Sequence, residues 1–352
     1  MVENDNLDLT EEMFEGSLKE LSIKKKDKYS FILNGGEDLK KAVFALFKKV
    51  WESEIKPESW KKTTIVQLYK GKGDKRSFTN QRNIHTKPEI TKVFGHLVMS
   101  QIKERIMSHM SKFQIGTKTG HRVQDHWFTL KSIAALYISL GLPVIIQLYD
   151  IQKFFDRESL RDGLDAIYNL GIKGKLYRLL YMLNKDTKIS VKTAVGLSRE
   201  IETGENIGQG TTEGAILSAA NIDYSINKLF RTSTAELSYG SEQLLPLLFQ
   251  DDICRVATRI DDAQKGNDIL ETIMELKLLD FNLDKSSYII MGTKSAMKTI
   301  EQQLAENPLT LCNQPMKAST CEKYLGDMLS AKGLATVHLK VLQVEKGKFC
   351  TA

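Results

Sequence analysis

Apolar residues recur along the chain at two periods, and the changes of period mark out the elements. Leu39, Val43, Leu46 and Val50 fall at helical spacing, and Pro57 closes that segment before Thr64 to Leu68, which reads as a short strand. From about Pro88 to Met110, Ile90, Val93, Leu97, Val98, Ile102 and Ile106 form one long inward face of a helix, with Gly116 and Gly120 breaking the pattern after it. Pro143 introduces Val144 to Tyr149, an apolar, β-branched run that reads as a central strand ending at Asp150. Leu160, Leu164 and Ile167 predict a helix that Gly171 terminates, and a second helix spans about Lys173 to Asn184. Alternating Ile189 and Val191 predict a strand. Gly204, Gly208 and Gly210 then form a loop opening a helix with Ala219, Ile222, Ile226 and Leu229 on one face. Leu244 to Phe249 and Ile253 to Ala257 read as two strands of a hairpin, with Gln250-Asp251-Asp252 between them. A helix over about Asp262 to Leu279 and a strand at Tyr288 to Met291 complete the pattern. Strands interspersed with long helices, without strict βαβ alternation, predict an α+β fold.

Composition narrows the class. The 352 residues are 41% hydrophobic and 27% charged, with 23 Gly and 6 Pro, which excludes fibrous and low-complexity chains. No apolar run approaches the roughly 18 residues that cross a bilayer, so no membrane partner is expected. Met1 to Gly16 is acidic where a signal peptide is basic and then apolar. Cys254, Cys312, Cys321 and Cys350 have neither C-x-x-C nor framework spacing, which predicts free thiols and an intracellular, reducing compartment. The net charge of +6 is unevenly spread: Lys61, Lys62, Lys70, Lys72 and Lys75 surround Asp74, and Gly71 and Gly73 make the second half of that stretch a flexible cationic loop.

The acids at strand ends are the candidate chemistry. Asp150 closes one apolar strand and Asp251-Asp252 sits at a hairpin tip about a hundred residues later, where a sheet would hold the carbons rigid and leave the carboxylates free. Three carboxylates brought together repel unless divalent cations neutralise them, and hard oxygen donors suit Mg²⁺. Two such ions roughly 4 Å apart serve phosphoryl transfer, so the chemistry expected is nucleotidyl transfer. Asp-Asp is also an ordinary turn dipeptide, and Asp261-Asp262 is a second copy at a helix start, where acids complement the dipole.

The ordered neighbours give the pair its meaning. Leu148-Tyr-Asp-Ile-Gln-Lys-Phe-Phe-Asp156, Gly208-Gln-Gly210, Phe249-Gln-Asp-Asp252 and Asn282-Leu-Asp-Lys-Ser286 follow one another as do the palm motifs of reverse transcriptases. Upstream, Pro57-Glu-Ser-Trp60-Lys, Ile65-Val66, the glycine-lysine loop and Asn80-Gln-Arg82-Asn-Ile84 resemble the fingers of non-LTR retrotransposon (LINE-like) enzymes. Phe113-Gln114-Ile-Gly116, Gly120-His-Arg122 and Lys323-Tyr-Leu-Gly326 extend the resemblance to about residues 35 to 335.

The resemblance implies an α+β right-hand polymerase fold, with an antiparallel palm sheet backed by helices and the thumb largely missing. It divides the chain into an N-terminal segment (1–35), fingers (36–142), palm (143–311) and the end of the palm with the start of a truncated thumb (312–352). It implies Asp150, Asp251, Asp252 and the Ile151 carbonyl as ligands of two Mg²⁺ ions, for which Mn²⁺ could substitute. Phe155 matches the aromatic that excludes a ribose 2′-hydroxyl by bulk, while Phe154 suits a core position. Gln209 and Gly210 match the loop that packs on the incoming nucleotide, where a missing side chain permits close approach. Lys70, Lys72, Lys75 and Arg82 match residues that bind triphosphate or template phosphates, Arg82 being able to clamp oxygens bidentately. Lys285 matches the lysine near the triphosphate, a proton donor to departing pyrophosphate.

The activity so implied is RNA-directed DNA polymerisation, with an RNA template, a DNA primer and deoxynucleoside triphosphates as partners. The alternatives are an inactive, nucleic-acid-binding palm relic and an RNA-directed RNA polymerase, which would be expected to avoid a bulky aromatic at residue 155. Gly208 and Asn83 stand where these enzymes commonly carry proline, and Gln250 where they carry a small residue. None of these changes removes a carboxylate.

Overall fold

The computed structural model describes residues 7–25, 30–203, 207–211, 213–233, 238–239 and 242–331. Gly204, Thr212, Cys350 and the stretch 332–352, where the sequence places a truncated thumb, lie outside the described residues. The chain forms two compact units, each drawn from two separated stretches: residues 1–110 with 155–221, and residues 111–154 with 222–352.

The first unit combines a helical core with a sheet. The predicted helices appear at Gly36–Ser53, Glu89–His109, Leu160–Asn169 and Gly174–Asn184, and Glu11–Lys25 adds a helix that the apolar spacing had not singled out. Their apolar faces meet around Phe47, Trp51, Trp60 and Phe94. The Phe47 and Phe94 rings are 5.1 Å apart and nearly perpendicular, the edge-to-face geometry favoured by the ring quadrupole. Beside this core, the strand Lys62–Tyr69 pairs antiparallel with Gln81–Thr86 and parallel with Thr187–Thr193, which also pairs with Gly196–Leu197 and Ile201–Thr203. The glycine-lysine loop is the turn between the first two strands. Gly71 and Gly73 both have positive φ there, and the Tyr69 hydroxyl donates to the Gly73 carbonyl at 2.6 Å.

A five-stranded sheet organises the second unit. Its order is Lys317–Ala318, Ser287–Met291, Val144–Tyr149, Asp252–Ala257, Leu247–Phe249. Val144–Tyr149 takes the centre, antiparallel to both its neighbours, and all six of its residues are buried, as a continuous apolar run requires. Gln147 breaks that run and is nevertheless fully buried. Its amide donates to Asn267 Oδ1 at 2.7 Å and to the Ala263 carbonyl at 3.1 Å, and its carbonyl accepts from Arg255 Nη1 at 3.0 Å. Arg255 in turn pairs with buried Asp262 at 2.7 Å, and the Tyr149 hydroxyl donates to the same Asn267 oxygen at 2.7 Å. This network bolts the helix Ile260–Leu276 onto the back of the two strands that lead to the candidate acids. It also assigns the second Asp-Asp pair, since Asp262 neutralises Arg255 and Asp261 pairs with Arg259.

Two expected elements are trimmed. The apolar stretch from Leu244 forms a strand only over Leu247–Phe249, because Pro246 has no N–H to give to a ladder. The helix expected to reach Leu279 ends at Leu276, and Leu278 then turns with φ +54°. Cys254, Cys312 and Cys321 are free thiols, as their spacing predicts, and among the described residues no helix is long and apolar enough to cross a membrane.

Candidate active site

The acids fall within the second unit. Tyr149 stands opposite Ile253 in the antiparallel register, so one residue further on Asp150 leaves its strand beside the point where Asp252 enters the neighbouring one. Asp252 pairs with Phe249 across the hairpin, which leaves Gln250 and Asp251 as the two-residue turn. Gln250 takes φ +57°, a left-handed conformation that a non-glycine residue adopts only when its surroundings hold it there.

Backbone bonds fix Asp150 as well. Its N–H donates to the hydroxyl of buried Ser286 at 3.2 Å, and its carbonyl accepts from the Asn282 N–H at 2.8 Å. The Asn282 carbonyl accepts from the N–H groups of Lys285 and Ser286, at 3.1 and 2.9 Å, closing a tight turn that delivers Lys285 to the acid. Lys285 Nζ lies 3.3 Å from Asp150 Oδ2. Ile151 is buried and bridges Phe281.

The electrostatics report burial first and crowding of like charge second. Burial, with the Asp150 charge adding to it, raises the Asp251 carboxyl above the usual range, and Lys285 only partly offsets this. Asp252 keeps an exposed edge, yet the protein packed around it, then the charges of Asp251 and Asp150, push it up to about 6. Such a set has the donor chemistry of a hard divalent cation site. Among the described residues, however, no three carboxylate, imidazole or thiol groups stand close enough to hold one ion as they are, and Asp150 is turned toward Lys285.

The remaining candidates fall within the first unit. Lys70, Lys72 and Lys75 are exposed in the glycine-lysine turn, and Arg82 is exposed on the strand Gln81–Thr86 that follows it. The Gly208-Gln209-Gly210 loop is fastened to this same strand: the His85 N–H donates to the Gln209 carbonyl at 2.8 Å. At Gly208 an added Cβ would come within 2.9 Å of the His85 ring, and at Gly210, with φ +92°, within 3.0 Å of Ile84. Behind the loop, Lys87 and Glu213 form a buried ion pair, and Lys87 also donates to Asn184 Oδ1 at 2.9 Å. Asn83 Nδ2 reaches Asp156 Oδ1 at 3.3 Å, so the turn containing Phe155 borders the same strand. Phe155 is half-buried whereas its neighbour Phe154 is buried in the second unit.

Sequence reasoning gave no roles to the Lys87–Glu213 pair or to Ser286. A lysine and a glutamate 126 residues apart carry no local signal of pairing, and Ser286 was visible only as the last letter of a motif.

No protein-family profile and no curated protein sequence matches the chain. Solved structures do match, telomerases among them, and the chain has an α+β fold like theirs. It is similar to the apo telomerase of Candida tropicalis truncated from its C-terminal domain, with a TM-score of 0.54 at 11% identity, over 83% of this chain and 59% of that one. It is likewise similar to the telomerase of Candida albicans in complex with a TWJ fragment of telomeric RNA, with a TM-score of 0.54 at 13% identity, over 83% of this chain and 49% of that one. A further apo telomerase structure from C. tropicalis gives a TM-score of 0.53 at 13% identity, over 83% and 53%. The chain thus spans about half the length of the telomerase chains it resembles.

Proposed function

We propose that this chain is an RNA-directed DNA polymerase of the non-LTR retrotransposon kind, extending a DNA primer on an RNA template with deoxynucleoside triphosphates. The observation that carries the reading is the placement of Asp150, Asp251 and Asp252 at the same end of two adjacent antiparallel strands, in a fold shared with reverse-transcriptase-related enzymes. A telomerase of that fold bound to an RNA fragment supports an RNA partner.

In this reading Asp150, Asp251, Asp252 and the Ile151 carbonyl hold the divalent cations, which when bound supply charge neutralisation and a more acidic primer hydroxyl. The crowding of the three carboxylates favours a cationic occupant over an empty site. Asp150 must first leave Lys285, a half-exposed pair of the sort worth about 1 kcal/mol or less, so the exchange costs little. Lys285, released, stands ready as a proton donor to the departing pyrophosphate. Arg82 and the lysines of the glycine-lysine turn hold phosphates. Gln209 and Gly210 present a near-bare backbone to the incoming nucleotide, and Phe155 supplies the bulk that excludes a 2′-hydroxyl.

The test is template-directed incorporation with Mg²⁺ and with a chelator, for the wild type and Asp251→Asn. Incorporation that needs Mg²⁺ and disappears in the variant, with template binding retained, is the expected result. An equally active variant overturns the assignment. Template binding without turnover in the wild type leaves the inactive relic as the reading, and an RNA product from ribonucleotides leaves the RNA polymerase.

A further inference from the structure

The turn that presents Asp251 and Asp252 is gripped by a residue far away in the chain. Phe113 to Ile115 lies alongside the strand Leu247–Phe249: the Leu248 N–H donates to the Phe113 carbonyl at 2.9 Å, and the Ile115 N–H to the Leu248 carbonyl at 3.0 Å. Between these bonds Gln114 is fully buried, and its amide spans the backbone of Gln250, from its N–H to its carbonyl. Oε1 accepts from the Gln250 N–H at 3.0 Å and from the Gly116 N–H at 3.1 Å, while Nε2 donates to the Gln250 carbonyl at 3.3 Å. Gly116 permits the approach, since a Cβ there would lie 2.5 Å from the Gln250 nitrogen.

The geometry points to Gln114 as a positioning residue that holds Gln250 in its left-handed conformation and thereby aims the carboxylates of Asp251 and Asp252. Three features separate this from ordinary burial of an amide. Both ends of the side chain bond one residue, through the two peptide groups that flank its Cα, that residue is the left-handed one of the turn, and the next two residues in the chain are the candidate acids. Left-handed geometry is unfavourable at a non-glycine residue, and hydrogen bonds to both sides of its Cα offset that cost. The catalytic meaning of the clamp rests on the polymerase reading, whereas the clamp itself does not.

Two variants separate its parts. Gln114→Leu removes all three bonds at similar volume, and Gln114→Glu keeps an acceptor for the two N–H groups but loses the donor to the Gln250 carbonyl. In metal-free protein, amide hydrogen exchange at Gln250 should accelerate at least ~10-fold in Gln114→Leu, and less in Gln114→Glu, while amides of the central strand Val144–Tyr149 keep their protection. Mn²⁺ affinity measured by calorimetry should fall ~10- to 100-fold in Gln114→Leu, and kcat for incorporation by a similar factor, with primer–template affinity within about twofold. Unchanged exchange at Gln250, or unchanged Mn²⁺ affinity and kcat, overturns the proposal. If Gln114→Leu does not fold, the same readouts on Gln114→Glu decide it. A wild type that binds Mn²⁺ but incorporates nothing sinks the polymerase reading alone, and the exchange and Mn²⁺ arms still judge Gln114.

Discussion

Lys285 Nζ and Asp150 Oδ2 lie 3.3 Å apart although the two residues are separated by 135 positions. A half-exposed pair of this kind adds little stability. Replacing Lys285 by Met should leave the melting temperature nearly unchanged while incorporation falls ~10- to 100-fold. A melting curve beside a single-turnover incorporation assay checks both, and a large loss of stability with unaltered rate would refute the assignment.

Asp251 and Asp252 crowd one another and Asp150 while packed against protein, which opposes ionisation. Asp252→Asn relieves that repulsion, so the variant should melt a few degrees higher than the wild type while losing more than ~100-fold of its incorporation rate. Calorimetric melting and primer extension on the same preparation give the comparison.

Phe155 is half-buried, while Phe154 is packed away. Phe155→Val should raise the use of ribonucleotides relative to deoxynucleotides by ~10-fold or more, with deoxynucleotide incorporation largely kept. Paired kcat/KM measurements for the two sugars decide this, and an unchanged ratio removes Phe155 from sugar selection.

Lys87 and Glu213 are both buried and bonded to one another behind the Gly208–Gly210 loop. Removing one partner strands a charge, so Glu213→Leu should cost about 3–5 kcal/mol in denaturant unfolding. Lys87→Met combined with Glu213→Leu should recover most of that loss, since an apolar pair of similar volume carries no desolvation penalty. Additive losses in the double variant would show that the pair is not coupled.

His126 gives the chain an acid-sensitive joint. Its Nε2 contacts the Phe113 carbonyl at 3.1 Å and its Nδ1 the Tyr324 hydroxyl at 3.1 Å. The Phe113 carbonyl can only accept, so Nε2 carries a proton. Burial lowers its pKa to about 4, with the Phe113 contact and Asp125 opposing the shift and His121 adding to it. The folded state therefore binds the proton more weakly than the unfolded chain, whose imidazole titrates near 6.5. Its contribution is fully present above pH 6.5 and is lost as pH falls toward 4, by about 3 kcal/mol at the lower end. His126→Gln should flatten that part of the stability–pH curve in urea unfolding, and an unaltered slope would show that other groups carry it.

The sequence was most legible where burial follows chain order. Val144 to Tyr149 announces a central strand because every residue in it is apolar or can be bonded, and the faces of the helices Glu89–His109 and Gly174–Asn184 follow from spacing alone. It was least legible for short or amphipathic-poor segments. The strand Gln81–Thr86 has no apolar alternation, and its existence depends on pairing with Lys62–Tyr69. The helix Val123–Ser139 was likewise not foreseen, since it mixes apolar and polar residues without a clean stripe.

By itself the sequence determined the identity and order of the candidate acids, the hairpin that carries two of them and the glycine positions where backbone must approach closely, because these are local properties of residue type and spacing. Only the tertiary structure decided which partners lie far along the chain: Lys285 on Asp150, Gln114 around Gln250, Glu213 on Lys87 and Arg255 on Gln147. Such pairings arise when a polar group removed from water must find a complementary group wherever packing has put one, and no local pattern encodes that address.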